Sequence, residues 1–237
     1  MCGRYRQARD PREVAEWFDR VANPLPNIRP SWNIAPTQQA LVLRRHPETG
    51  ARHLDALRWG LVPHWAKDPS GAARMINARA ETVAEKPAFR DAYRRRRCLV
   101  PADGFYEWRA TGPPRPRAPK QAYAIQTADG APLAFAGLWE GWRDPASGEV
   151  LRSFTIVTTA ANEQLRALHE RMPVMLPREA WPLWLGEAGG SDPAELSGLL
   201  DGHLTPVLEL WPIGPRVGRV GEDDPGLIER ADFPNPL

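Results

Sequence analysis

Arg97-Cys98-Leu99-Val100-Pro101-Ala102-Asp103-Gly104-Phe105-Tyr106-Glu107-Trp108 is the stretch on which the reading of the fold turns. Two short apolar runs, 99–100 and 105–108, flank the tetrad Pro101-Ala102-Asp103-Gly104. Proline presets φ for a turn, and aspartate and glycine complete its usual chemistry. The pattern predicts two strands paired around that turn. Outward from it, further strands are expected at 40–43, 57–62, 122–126, 133–138, 154–158 and 207–210. Asp10-Pro11-Arg12-Glu13 reads as a helix start, with an N-cap, a proline in the first turn and an acid three residues on. Val14, Trp17, Phe18 and Val21 then give that helix one apolar face. Shorter helices are expected at 87–94, 162–168, 177–185 and 193–200.

Proline supplies 26 of the 237 residues, about twice its usual share of roughly 5%. So many breakers disfavour a helical bundle and favour short elements. The expected architecture is α+β: a single domain over 1–220 with a bent, barrel-like, mostly antiparallel sheet surrounded by short helices. The stretch 112–119 is too rich in proline for helix or central strand and reads as a stiff surface loop. The acidic, proline-rich residues 221–237 read as a loosely attached tail.

A chain of this length buries a core without a disulfide scaffold. Its 42% apolar and 25% charged residues exclude a fully disordered chain. No apolar run approaches the roughly 20 residues of a membrane span, and no signal-peptide core follows Met1-Cys2-Gly3-Arg4-Tyr5-Arg6. A soluble, cytoplasmic monomer is expected. The net charge of +2 hides a polarity: residues 1–120 carry 23 basic and 12 acidic residues, and residues 121–237 carry 8 and 17. A basic half fits an anionic partner such as nucleic acid. Arginine so outnumbers lysine that GC-rich coding fits equally well, and charge alone leaves both readings open. The two cysteines, Cys2 and Cys98, form no C-x-x-C pair, and nothing calls for a metal or other cofactor. Cys98 sits in an apolar stretch that favours a buried, inert thiol. A Cys2–Cys98 disulfide is chemically open but rare in a cytosolic protein.

Cys2 has distinctive chemistry because of its position. Removal of Met1 leaves an α-amine titrating near 7.7–8.0 beside a thiol near 8.5. Such a 1,2-aminothiol condenses with an aldehyde, first to an imine and then to a thiazolidine. An internal cysteine cannot, because its nitrogen is an amide. Gly3 permits close approach of the backbone, and Arg4 sets a phosphate-capable cation two residues away. The bland alternative is an ordinary cysteine at a frayed end. Asn77-Ala78-Arg79-Ala80-Glu81 presents an amide and a guanidinium on one side if extended. Glu107 lies among aromatics, where desolvation would raise its pKa and suit proton transfer; a strand-edge acid facing water is equally compatible. His169-Glu170-Arg171 follows an expected helix, where its cations would also serve as a simple C-terminal cap. Of the ten tryptophans, Trp32, Trp59, Trp65 and Trp108 lie near these segments, and one or two exposed faces would stack unpaired bases.

In order along the chain stand Met1-Cys2-Gly3-Arg4-Tyr5, Asn33/Ala35-Pro36-Thr37, Arg58-Trp59-Gly60-Leu61-Val62-Pro63 with Trp65, and Asn77-Ala78-Arg79-Ala80-Glu81-Thr82. The 97–108 stretch, Ala136-Gly137-Leu138-Trp139-Glu140 and His169-Glu170-Arg171-Met172-Pro173 follow. This set resembles the SOS-response-associated peptidase family from residue 2 to about residue 185. The resemblance implies binding of single-stranded DNA that carries an abasic site, and a covalent thiazolidine between Cys2 and the ring-opened sugar during the DNA-damage response. It implies Cys2 as nucleophile, with Asn77, Glu107 and His169 completing the site. Arg4, Arg79 and Arg171 are chosen as contacts to backbone phosphates, and Trp65 as a further DNA contact. The family name also implies peptidase activity, most simply self-removal of Met1. Two other classes compete. N-terminal-nucleophile glutamine amidotransferases also begin Met-Cys-Gly, but the Arg-Gly-x-Asp-Ser and Asn-Gly segments they carry do not occur in this chain. A non-catalytic single-strand binder would use the same basic half.

Overall fold

The computed structural model describes residues 2–112, 119–187 and 192–231. Its strands, in chain order, are β1 (Tyr5–Gln7), β2 (Ser31–Ile34), β3 (Gln39–Arg45), β4 (Arg52–Trp59), β5 (Asn77–Arg79), β6 (Arg97–Ala102), β7 (Gly104–Ala110), β8 (Lys120–Thr127), β9 (Leu133–Arg143), β10 (Val150–Ala160), β11 (Arg171–Pro173) and β12 (Leu208–Ile213). Five of them close on themselves in the order β10-β4-β3-β6-β9 and back to β10. All pairings in this barrel are antiparallel except β4 with β10. β5 and β11 extend β10 beyond the barrel. A second, five-stranded antiparallel sheet runs β12-β8-β7-β1-β2.

Strand alternation separates two cores. Ala40, Val42, Cys98, Val100, Phe135, Phe154 and Ile156 share one buried cluster with Cys2 and with Tyr5 and Phe105 of the second sheet. Their sequence neighbours Leu41, Leu43, Leu99, Ala136 and Val157 belong to another, packed against the helices. Those helices are short: α1 (Pro11–Phe18), α2 (Arg90–Arg95), α3 (Glu163–Arg166), α4 (Trp181–Leu185) and α5 (Pro193–Gly198). α1 has the expected capping box between Asp10 and Glu13.

Two expectations need correction. The 97–108 stretch is no hairpin: β6 belongs to the barrel and β7 to the other sheet. Asp103 makes the corner by accepting the Ala8 and Arg9 backbone N–H groups and the Arg9 guanidinium. The polypeptide at Gly104 passes so close to β8 that a Cβ there would lie 2.5 Å from the Ile125 carbonyl oxygen. The tail is not loose between 221 and 231. Leu227 is 3% exposed and packs with Tyr106, Trp211 and Val217 on the outer face of the second sheet. The Trp211 indole donates to the Ile228 carbonyl at 2.7 Å. Residues 232–237, and 113–118 of the expected proline-rich loop, lie outside the described residues. Cys2 and Cys98 are both free and buried. No helix among the described residues is long and apolar enough to cross a membrane.

Candidate active site

Cys2 sits in the seam between sheet and barrel, immediately ahead of β1, and is 0% exposed. A residue this near a chain start ordinarily frays; Cys2 is pinned. The Tyr106 N–H donates to the Arg4 carbonyl at 3.0 Å, which carries the β1–β7 ladder toward Cys2. The Asn77 side-chain Nδ2 donates to the Cys2 carbonyl at 2.9 Å. The thiol points at the Arg4 carbonyl, 3.9 Å away. Beneath lies an aromatic floor in which Tyr5 meets Trp59 edge-on at 5.0 Å.

Each neighbour is placed by its strand. Asn77 opens β5, which runs parallel to β10 with Asn77 opposite Ile156. The Trp59 indole fixes the approach to β5 by donating to the Ile76 carbonyl at 2.9 Å. The Oδ1 of Asn77 is sealed from solvent with no hydrogen-bond partner among the described residues, an acceptor that calls for a donor. Glu107 stands on β7, an interior strand flanked by β1 and β8, and is 4% exposed. It is therefore not a strand-edge acid facing water. Burial raises its pKa. The Cys2 thiol is pushed well up by its own burial and further by the charge of nearby Glu107, so its resting form is the neutral thiol.

His169 follows α3 and precedes β11. Its sequence neighbour Leu168 and nearby Met172 belong to the same buried cluster as Cys2. The His169 Nδ1 accepts the Arg171 N–H at 2.9 Å, which places the neutral ring's proton on Nε2. Burial lowers the His169 pKa, so the ring is neutral near pH 7. Arg171 clamps the two strands attached to β10: its guanidinium meets both carboxylate oxygens of Glu81, just past β5, and the Thr158 carbonyl.

The structure thus gathers Cys2, Asn77 and Glu107, and packs the segment carrying His169 on the same core. The residues matched to DNA divide. Arg79 is exposed, and Trp65 is 56% exposed. Arg4 and Arg171 hold protein groups. Arg4 Nη1 donates to Asn33 Oδ1 at 2.9 Å and to the Val217 carbonyl at 2.7 Å, and Nη2 to the Gly218 carbonyl at 3.2 Å. Asn33 is the residue whose role the sequence did not reveal. Buried beside Arg4, it donates to the carbonyls of Arg219 at 3.0 Å and Glu222 at 2.7 Å, partners nearly the whole chain away. No group of three or more His, Cys, Asp or Glu among the described residues is arranged to hold a metal ion.

Fold and site define an α+β protein that keeps a buried cysteine at its second position beside an amide and a desolvated acid, with a neutral imidazole on a segment packed on the same core. The chain belongs to the SOS response associated peptidase (SRAP) family, whose model matches residues 1–220. It is 38% identical over 231 residues to the abasic site processing protein YoqW of Bacillus subtilis, covering 97% of this chain and 99% of that one. To the abasic site processing protein YedK of Escherichia coli it is 31% identical, with 97% and 99% covered. A crystal structure of a protein from Bacteroides thetaiotaomicron matches with a TM-score of 0.84 at 25% identity, covering 97% of this chain and 100% of that one.

Proposed function

We propose that this protein processes abasic sites in single-stranded DNA by trapping the ring-opened sugar on Cys2 as a thiazolidine. The observation that carries the reading is the seating of Cys2: buried, held by Asn77 through its carbonyl, and close enough to Glu107 to feel its charge. A frayed terminal cysteine would show none of these. Hydrolysis of the Met1–Cys2 peptide bond, by the protein itself or by an aminopeptidase, frees the α-amine. The amine adds to the C1′ aldehyde and loses one water to give an imine. The thiol sulfur then bonds to the imine carbon while its proton passes to the nitrogen.

The raised pKa of Glu107 suits it to take the thiol proton and return it to nitrogen. The sealed Oδ1 of Asn77 is the natural acceptor for the α-amine. His169, neutral with its proton on Nε2, serves ring opening by hydrogen-bonding the sugar's ring oxygen. Sulfur closure diverts the imine from β-elimination and so preserves the strand. Because an abasic site has no base, recognition falls to phosphates and neighbouring bases. Arg79 and Trp65 are the exposed residues matched to that task, while Arg4 and Arg171 add positive charge and hold the walls.

The test is incubation with an abasic single-stranded oligonucleotide followed by a heated denaturing gel. A shifted band that disappears in Cys2→Ala and after thiol alkylation is expected. Unchanged affinity with no stable band would indicate a simple binder, and ammonia release from glutamine would indicate an amidotransferase.

A further inference from the structure

A cleft of about 800 Å³ lies between the end of α2, the β3–β4 hairpin and the end of α4. Its walls carry five arginines, Arg45 and Arg94 through Arg97, against one carboxylate, Glu48. Arg96 is neutralised by Glu140. Arg45 is held by carbonyls alone, Gly50 at 3.1 Å and Gly186 at 2.6 Å, so its charge is oriented but not cancelled. Arg94 and Arg95 are exposed on the last turn of α2, and neither they nor Arg45 forms an ion pair with a described carboxylate. Arg44 lies over the Trp139 ring at 4.6 Å, stiffening the floor.

The cleft does not contain Cys2. One end is lined by exposed Ala84, three residues beyond Glu81 of the clamp on Arg171. Uncancelled guanidiniums along a groove fit a chain of phosphates.

We infer that this cleft is a second phosphate-binding surface, along which the sugar–phosphate backbone flanking the lesion leaves the Cys2 site. The inference rests on the proposed DNA substrate. It adds a track some distance from the chemistry, engaged only by strands long enough to reach it.

The test compares wild-type protein with the double variant Arg94→Ala/Arg95→Ala on undamaged single strands of about 6 and about 20 nucleotides, around the usual site sizes. Binding is measured over a range of salt concentrations. For the longer strand the variant binds about tenfold more weakly at low salt, and its salt slope shrinks by about 1.4, two contacts at about 0.7 each. For the shorter strand both are unchanged, and crosslinking to a short abasic strand proceeds at the wild-type rate. Arg94→Lys/Arg95→Lys restores most of the slope, since it keeps the charge.

Equal affinity and slope on the longer strand would overturn the inference. So would loss of inorganic tripolyphosphate binding in the variant without any change on the longer strand, which would make the cleft a site for free polyphosphates. Failure of the Cys2 reading has a different signature: the wild type then crosslinks to neither length, and the length-dependent slope is read independently.

Discussion

Glu107 is the residue at which burial becomes chemistry. A carboxyl group on an interior strand loses its hydration, and its neutral form gains. Glu107→Gln keeps the shape and removes the proton transfer. Crosslinking in single-turnover assays is expected to slow by at least about 100-fold, with DNA affinity unchanged; equal losses in both would contradict the role. The same residue makes a stability prediction. Its folded pKa stands above the ordinary 4.5, so between these two values the folded state binds more protons than the unfolded chain. Its contribution is fully present below pH 4.5 and declines as pH rises through the folded value. Urea unfolding at a series of pH values is therefore expected to show Glu107→Gln gaining on the wild type as pH rises through that window. A constant difference would mean that Glu107 is solvated. The sequence exposed this acid among its aromatic neighbours, but it left open whether β7 was an edge strand, because edge status depends on β1 and β8 pairing from either side.

At the scale of elements, β10 organises the site by holding β5 on one side and β11 on the other. The approach to β5 depends on Gly60, whose φ of +111° is a conformation glycine adopts readily. A Cβ at this position would lie 2.6 Å from the Ala72 carbonyl oxygen. Gly60→Ala is expected to destabilise the protein by about 1–3 kcal/mol in urea titrations, and a neutral result would mean that the crossing at 60–75 relaxes freely. Strand identity was largely legible, because alternation and β-branched runs are local signals. Strand partnership was not. The turn chemistry of Pro101-Ala102-Asp103-Gly104 serves a hairpin and a corner between sheets equally well. The choice is made by the Arg9 and Ala8 contacts to Asp103, from another part of the chain.

Across the whole molecule, residues near the start of the sequence meet a segment more than 180 residues away. The segment 217–222 accepts from Arg4 and Asn33, and Leu227 covers the sheet that carries Glu107. Acid and proline content made 221–237 read as solvent-borne, since composition does not report that Leu227 is buried. Leu227→Ala is expected to cost about 2–5 kcal/mol by chemical denaturation, whereas a loose tail would lose almost nothing. Cys2, Asn77, Glu107 and His169, by contrast, each lie within a distinctive local pattern of the sequence, whereas the contacts of Asn33 emerge only in the fold. The account as a whole stands on the aminothiol at Cys2, and intact mass spectrometry after incubation with an abasic single-stranded oligonucleotide addresses it most directly. It predicts one heat-stable species, formed without reductant, equal to the chain lacking Met1 plus the oligonucleotide minus one water, and absent for Cys2→Ala. An adduct that retains Met1, or one formed equally well by Cys2→Ala, would contradict it.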